Sequence, residues 1–221
     1  DISIGYYNIN NKYTYTYNKN EIYYGASTIK TLDALYYYDK GKPSKISESD
    51  IKTAIENSNN EAHIRNVNAI GLTEYRNYGV NLGVDSAIMN TVKAELGSFG
   101  NTNVDTQFIY LKKLYELSKN NNTLKNYFIN NNVNCLNFSG ISTPMHKYGL
   151  RDEYFHDVGI VLEDNNPYIV VILTKGANDD ANCGNGGKAI TELSKKIYEL
   201  HKKVNDLKSG DSGGNANQKL Y

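Results

Sequence analysis

Tryptophan is absent, and proline (3), cysteine (2) and methionine (2) are scarce among the 221 residues. With two cysteines the chain cannot be a disulfide scaffold and must rely on a buried core. Neither cysteine lies in a CxxC pair or beside histidines at ligand spacing, which removes a structural zinc site, and no other pattern calls for a cofactor. No apolar run approaches the roughly 20 residues that span a bilayer, so no membrane span is expected. Charge of one sign is lacking too: 24 Lys and Arg balance 24 Asp and Glu to a formal charge of zero. No basic cluster interleaved with aromatics exists to track a phosphate backbone, and nucleic acid is not an expected partner. The chain opens on Asp1 in strand-like alternation, without Met and without a signal peptide, which predicts a processed product or an excised domain.

What is present suffices for one domain. Hydrophobic residues make up 39% of the chain, enough at this length for a single sizeable core. Residues 2–24 read as two strands joined at Asn10-Asn11, with Tyr13, Tyr15 and Tyr17 alternating against Thr14 and Thr16. The strand tyrosines point to packing and not to a ligand platform. A helical pattern over 28–38 breaks at 41–43 and resumes over 49–70 with an interruption at 57–60. Residues 72–134 are polar and mostly helical, with a loop over 97–103 and the clearest helix over 104–119. Three strands follow, around 145–150, 156–163 and 168–174, the last two separated by the turn signal Asp164-Asn165-Asn166-Pro167. A final helix over 187–207 carries Ile190, Leu193, Ile197, Leu200 and Val204 at three- and four-residue spacing, and 208–221 has the composition of a flexible linker or tail. The expected fold is α/β (α+β): one antiparallel sheet from both chain ends, a C-terminal helix packed on it and an inserted helical region, with the domain at 1–207.

Three short motifs carry chemistry. In Ser27-Thr28-Ile29-Lys30 a lysine one helical turn from a serine can take its proton, provided burial or a neighbouring cation lowers the lysine pKa. The bland alternative is an N-cap serine beside an exposed lysine. Ser58-Asn59-Asn60 interrupts a helical stretch, and Ser58 with Glu61 also reads as a capping box. Lys147-Tyr148-Gly149 opens a strand, where a fixed cation can meet a carboxylate and a glycine lets backbone approach closely. His63, His146 and His156 lie near these motifs and read as surface or hydrogen-bonded residues. Thr174-Lys175-Gly176 ends a strand on the wrong side of the hairpin.

An SxxK at a strand-to-helix junction, an SxN between two helices and a KxG entering a strand, followed by a hairpin and a terminal helix, resembles the penicillin-binding protein and class A β-lactamase superfamily. The resemblance covers residues 1–207 and implies a β-lactamase-like fold. It implies Ser27 as the acylated nucleophile, with its own N–H and that of Leu150 as the oxyanion hole, and Lys30 as base or part of the proton relay. Ser58 would pass a proton to the leaving nitrogen, Asn60 would hold the substrate amide, and Lys147 would tune the network and attract a carboxylate. Tyr148 and Gly149 would line the substrate site. The implied partner is a β-lactam or cell-wall peptide, the place of action secreted or cell-envelope, and the expected state a monomer.

The chain departs from that family at three points. Asn59 stands where aspartate is usual, and its structural role should survive. Tyr148 stands where a small hydroxyl meets the substrate carboxylate, which puts that recognition in doubt. No ExxLN-like pattern supplies a glutamate to activate the deacylating water, Glu95 being the one carboxylate near the corresponding loop and reading as a solvated helix residue. Poor deacylation is therefore expected, with a catalytically weak or inactive binding module and a genuine class A-like β-lactamase as alternatives. In a three-stranded meander Cys183 falls beyond the far end of the strand opened by Lys147 while Cys135 precedes its beginning, so a Cys135–Cys183 disulfide stays open in either direction.

Overall fold

The structure, a computed structural model, describes residues 1–163, 165–176 and 185–210, the side chains of 185, 186 and 205–210 excepted. The elements run β1 (Ile2–Asn8), β2 (Thr14–Tyr17), β3 (Tyr23–Tyr24), a 3-10 turn (Ala26–Ile29), α1 (Lys30–Asp39), α2 (Glu48–Glu56), α3 (Asn60–Ile70), α4 (Leu72–Asn81) and α5 (Ser86–Met89). They continue through β4 (Asn101–Thr102), α6 (Val104–Ser118), α7 (Asn122–Ile129), β5 (Met145–Arg151), β6 (Tyr154–Val161), β7 (Tyr168–Lys175) and α8 (Asn185–Gly210).

β7 explains the layering. Its sequence YIVVILTK is apolar on both pleat faces, which suits only a central strand covered from both sides. Ile169, Val171 and Leu173 enter the core under the helical region, whereas Tyr168, Val170 and Ile172 join Cys135, Leu136 and Ile190 beneath α8. The antiparallel sheet has the order β2-β1-β7-β6-β5, so strands from the two chain ends meet at β1 and β7, with Ile4 opposite Ile172. α6 lies close over β1: a Cβ on Gly5 would stand 2.6 Å from Val104 Cγ1 and 2.7 Å from Phe108 Cζ.

Four expectations need correction. Tyr23 and Tyr24 leave the main sheet and pair instead with β4, inside the stretch expected to be loop. Tyr13, Tyr15 and Tyr17 are exposed, because β2 is an edge strand and α8 leaves an open groove along Tyr13 and Tyr15 instead of packing on them. His63, His146 and His156 are fully buried and hydrogen-bonded, so the surface alternative falls away. α8 runs on to Gly210, past the expected end at 207, and the rest of the tail lies outside the described residues. Cys135 is disulfide-bonded, which the sequence left open; Cys183, the other cysteine of the sequence, lies outside the described residues, as does Asp164 of the turn. No helix among the described residues is long and apolar enough to cross a membrane.

Candidate active site

Ser27 sits inside the 3-10 turn, one residue after Ala26, which is held at φ 46° in the left-handed region. Such strain in a residue with a Cβ persists only where surroundings fix it. Here Gly25 N–H donates to Gly100 O at 2.8 Å, and Thr28 N–H and Oγ1 both donate to Gly25 O at 3.1 and 2.7 Å. Gln107 of α6 clamps the turn from below, donating to Thr28 Oγ1 at 3.1 Å and Thr102 Oγ1 at 2.9 Å. The turn rolls directly into α1, whose first residue is Lys30. Ser27 is thus not a helix cap, and the N-cap alternative fails.

The capping box also fails, for a physical reason. Asn59, not Ser58, caps α3, accepting from Ala62 N–H at 2.8 Å. Ser58 adopts φ 55°, which turns it away from the helix and toward two lysines. Lys30 Nζ lies 3.4 Å and Lys147 Nζ 3.0 Å from Ser58 Oγ. Asn60, the first residue of α3, accepts from Lys30 at its Oδ1 over 2.6 Å, which leaves its amide nitrogen pointing away from the lysine.

Lys147 is wholly buried on β5, the sheet edge beside the 3-10 turn, and donates also to Tyr148 O at 3.0 Å. Gly149 permits this approach: a Cβ there would stand 2.8 Å from Gly25 O and 3.2 Å from Thr28 N. The Tyr148 ring lies beneath the same cation, with its centroid 4.1 Å from Lys147 Nζ. Burial raises the Tyr148 phenol pKa, so at neutral pH the ring brings no charge.

Electrostatics put a neutral amine at Lys30 within reach at neutral pH. Burial lowers its pKa to about 7, against the pull of Asp33 and then Glu61. Its shortest contacts are to pure acceptors, Ser58 O at 2.5 Å and Asn60 Oδ1 at 2.6 Å. Those two take both N–H groups of a neutral amine, and the lone pair is left for the Ser27 hydroxyl at 2.8 Å. Lys147 is pushed well below the usual lysine range by burial and then by the Lys30 charge.

The cleft over Ser27 has a volume of about 370 Å³ and is lined by Ser27, Ser58, Asn60, Tyr148 and Leu150, together with Tyr24, Ala26, Phe99, Arg151 and Asp152. The structure therefore brings Ser27, Lys30, Ser58, Asn60, Lys147, Tyr148, Gly149 and Leu150 together. Glu95 is not among the lining residues: it sits in a loop instead of a helix, exposed and paired with Lys93 at 3.3 Å. Among the described residues no group of His, Cys, Asp or Glu side chains could hold a metal.

Sequence reasoning missed two supporting networks. Beneath Lys30, the buried Asp33 carboxylate accepts from His63 Nδ1 at 2.9 Å, Asn66 Nδ2 at 3.1 Å and Tyr75 OH at 2.8 Å. The only local signal was Asp33 one turn after Lys30. Beside Lys147, Asp157 accepts from His146 Nδ1 at 2.8 Å and from Cys135 N–H at 2.8 Å. Phe99 was missed as well; its ring centroid lies 5.4 Å from Lys30 Nζ.

A model of the beta-lactamase enzyme family matches residues 52–201, a stretch that holds Ser58, Asn60 and Lys147 and begins after Ser27 and Lys30. No curated protein matches the chain at a significant level. Among solved structures it is similar to PBP-A at 16% identity, covering 92% of this chain and 90% of that one with a TM-score of 0.75. The chromosome-encoded β-lactamase of Vibrio parahaemolyticus shares 17% identity over 91% of this chain and 94% of that one, TM-score 0.72. A class D β-lactamase, the BAT-2 delta mutant, shares 18% over 90% and 92%, TM-score 0.65. At these identities the structures establish a common fold.

Proposed function

Because the chain belongs to the beta-lactamase enzyme family, we propose that it is an active-site serine hydrolase or transpeptidase-like enzyme of the cell envelope that forms an acyl-enzyme at Ser27. Its substrates are β-lactams or cell-wall peptide amides. The observation that carries this reading is the continuous chain from Ser27 Oγ through Lys30 Nζ and Ser58 Oγ to Lys147 Nζ, with steps of 2.8, 3.4 and 3.0 Å.

The chemistry follows from that chain. Neutral Lys30 takes the Ser27 proton as Oγ bonds to the substrate carbonyl carbon, and the carbonyl electron pair moves onto oxygen. The N–H groups of Ser27 and Leu150 stabilise that oxyanion. Collapse breaks the C–N bond. Ser58 gives its proton to the leaving nitrogen and is reprotonated from Lys30, so the proton of Ser27 ends on the amine. Lys147, held close to Ser58 Oγ, favours the hydroxyl's passage through a partly anionic state.

Deacylation has no equivalent base among the described residues. Asp152 is the one carboxylate lining the cleft among the described residues, and Arg151 Nε engages it at 3.3 Å. The face of Lys30 toward the 93–99 loop is covered by Phe99. General-base assistance is worth about 10² to 10⁴ in rate, so an adduct formed here should persist. A second reading, a binding module with little turnover, is favoured by Tyr148, whose ring packs on Lys147 with its centroid 4.1 Å from Nζ, in place of a small hydroxyl that would leave more room for a substrate carboxylate. Intact-mass measurement after incubation with a panel of β-lactams separates the readings. A stable adduct lost in Ser27→Ala supports the proposal, rapid multiple turnover shows a working hydrolase, and no adduct across the panel leaves the binding module.

A further inference from the structure

The relay occupies one end of the cleft, where Ser58, Lys147 and Tyr148 face the leaving group. With the leaving group there, the lining left to an acyl group attached to Ser27 is Asn60, Leu150 and the cluster of Phe99, Tyr24 and Arg151, in which Phe99 N–H donates to Tyr24 OH at 3.2 Å. Phe99 and Tyr24 offer rings; Arg151 is the cluster's one cation among the described residues.

Its placement is built. Arg151 ends β5, one residue after Leu150. The guanidinium rests on the backbone of Gly97, where an added Cβ would stand 2.4 Å from one Nη and where φ is 81°, so Gly97 is barred from carrying a side chain on two counts. The Tyr24 ring centroid lies 5.7 Å from Arg151 Cζ. Braced between a loop and a ring, the side chain is still 45% exposed. Its ion pair with Asp152 uses Nε at 3.3 Å, and Asp152 is 80% exposed. An exposed pair of this kind contributes little, and it leaves both Nη groups available.

We propose that Arg151 is a specificity-determining residue that selects substrates whose acyl side carries a carboxylate. The inference rests on the serine-acylation reading above. A guanidinium fork presents paired donors matched to a carboxylate, and a braced side chain loses less rotamer freedom on engaging it. Asp152 competes for the same cation and opposes an incoming anion, so it moderates the preference.

Benzylpenicillin and carbenicillin differ by one carboxylate on the acyl side chain and form a matched pair. Mass-resolved acylation of Ser27 should be about tenfold faster with carbenicillin, as expected for one charge-assisted hydrogen-bonded contact. Arg151→Gln should bring the ratio to about one, Arg151→Lys should keep part of it, and Asp152→Asn should increase it. A wild-type ratio at or below one, or a ratio unmoved by Arg151→Gln, overturns the proposal. Calorimetric binding of the same pair to Ser27→Ala protein reads the discrimination with no covalent step. Preferential carbenicillin binding that Arg151→Gln removes supports the Arg151 assignment even where acylation fails and the serine reading falls; equal binding overturns it even where both compounds acylate.

Discussion

Lys30 Nζ donates to Asn60 Oδ1 at 2.6 Å while standing 2.8 Å from Ser27 Oγ, so one amine is both anchored by the SxN motif and aimed at the nucleophile. With its pKa lowered to about 7 by burial, the fraction of Lys30 able to accept a proton rises as pH rises through neutrality. Acylation rates should therefore climb with pH, with a midpoint near that value and a plateau above it. The Asp33 charge holds the Lys30 pKa up, so Asp33→Asn should move the midpoint toward acid. Adduct formation timed by mass spectrometry across pH checks both statements; an unchanged midpoint in Asp33→Asn would contradict the second.

Gly149 controls the approach of β5 to the nucleophile turn. In Gly149→Ala the new methyl group meets Gly25 O at 2.8 Å, Thr28 Cγ2 at 3.0 Å and Thr28 N at 3.2 Å, and the two backbone atoms among these cannot swing aside. The strand must retreat, carrying the Leu150 N–H out of position. Loss of one oxyanion donor typically costs about 10² to 10³ in rate, and acylation should fall by that order while the fold persists. Circular dichroism reports the fold and adduct kinetics the rate.

Asn59 is a structural residue inside a chemical motif. Its side chain caps α3, so Asn59→Ala should cost about 1 kcal/mol and lower the melting temperature by about 2 to 4 °C. Asn59→Asp keeps the acceptor and adds a negative charge at a helix N-terminus, where it is favourable, and should be at least as stable as the natural chain. A larger loss in Asn59→Asp than in Asn59→Ala would show that the cap is not its role.

The order of the motifs and the type of the long elements were legible because each has a local cause. β7 is an apolar run bounded by turn residues, α6 and α8 carry helical periodicity, and Ser27, Ser58 and Lys147 fall at junctions marked by composition. What was not legible depends on contacts between distant segments. β3 and β4 are two residues each and have no pattern of their own; they pair because the backbone at Gly25 is tied to Gly100. Asp33 and His63 are thirty residues apart, and nothing local marks either as a partner of the other. The capping residue of α3 was misassigned because Ser58 and Asn59 are both good caps, and the choice is made by φ at Ser58, which tertiary contacts with two lysines hold positive. Arg151 and Phe99 carry no motif and become part of the cleft only through the path of the 93–99 loop.

His156 couples the site to acid stability. It is fully buried, its Nδ1 accepting from Thr174 N–H at 3.1 Å and its Nε2 facing Tyr24 O at 2.9 Å, which fixes the neutral tautomer with the proton on Nε2. Burial lowers its pKa from 6.5 to about 4. Between those values the unfolded chain binds a proton that the folded chain refuses, so folding stability falls as pH falls through that window and is fully present above it. A difference of this size corresponds to about 3 kcal/mol at most. Protonation would set a second N–H against that of Thr174 and so strain the pairing of β6 with β7 behind Tyr24, whose carbonyl still accepts from Nε2 and which lines the cleft three residues before Ser27. Denaturant unfolding measured at intervals between pH 7 and pH 4 should give a steeper decline in the natural chain than in His156→Gln, which has no such proton to take up. Carboxylates and His201 titrate in both proteins and cancel in the comparison, so parallel curves for the two would remove His156 from the account of acid unfolding.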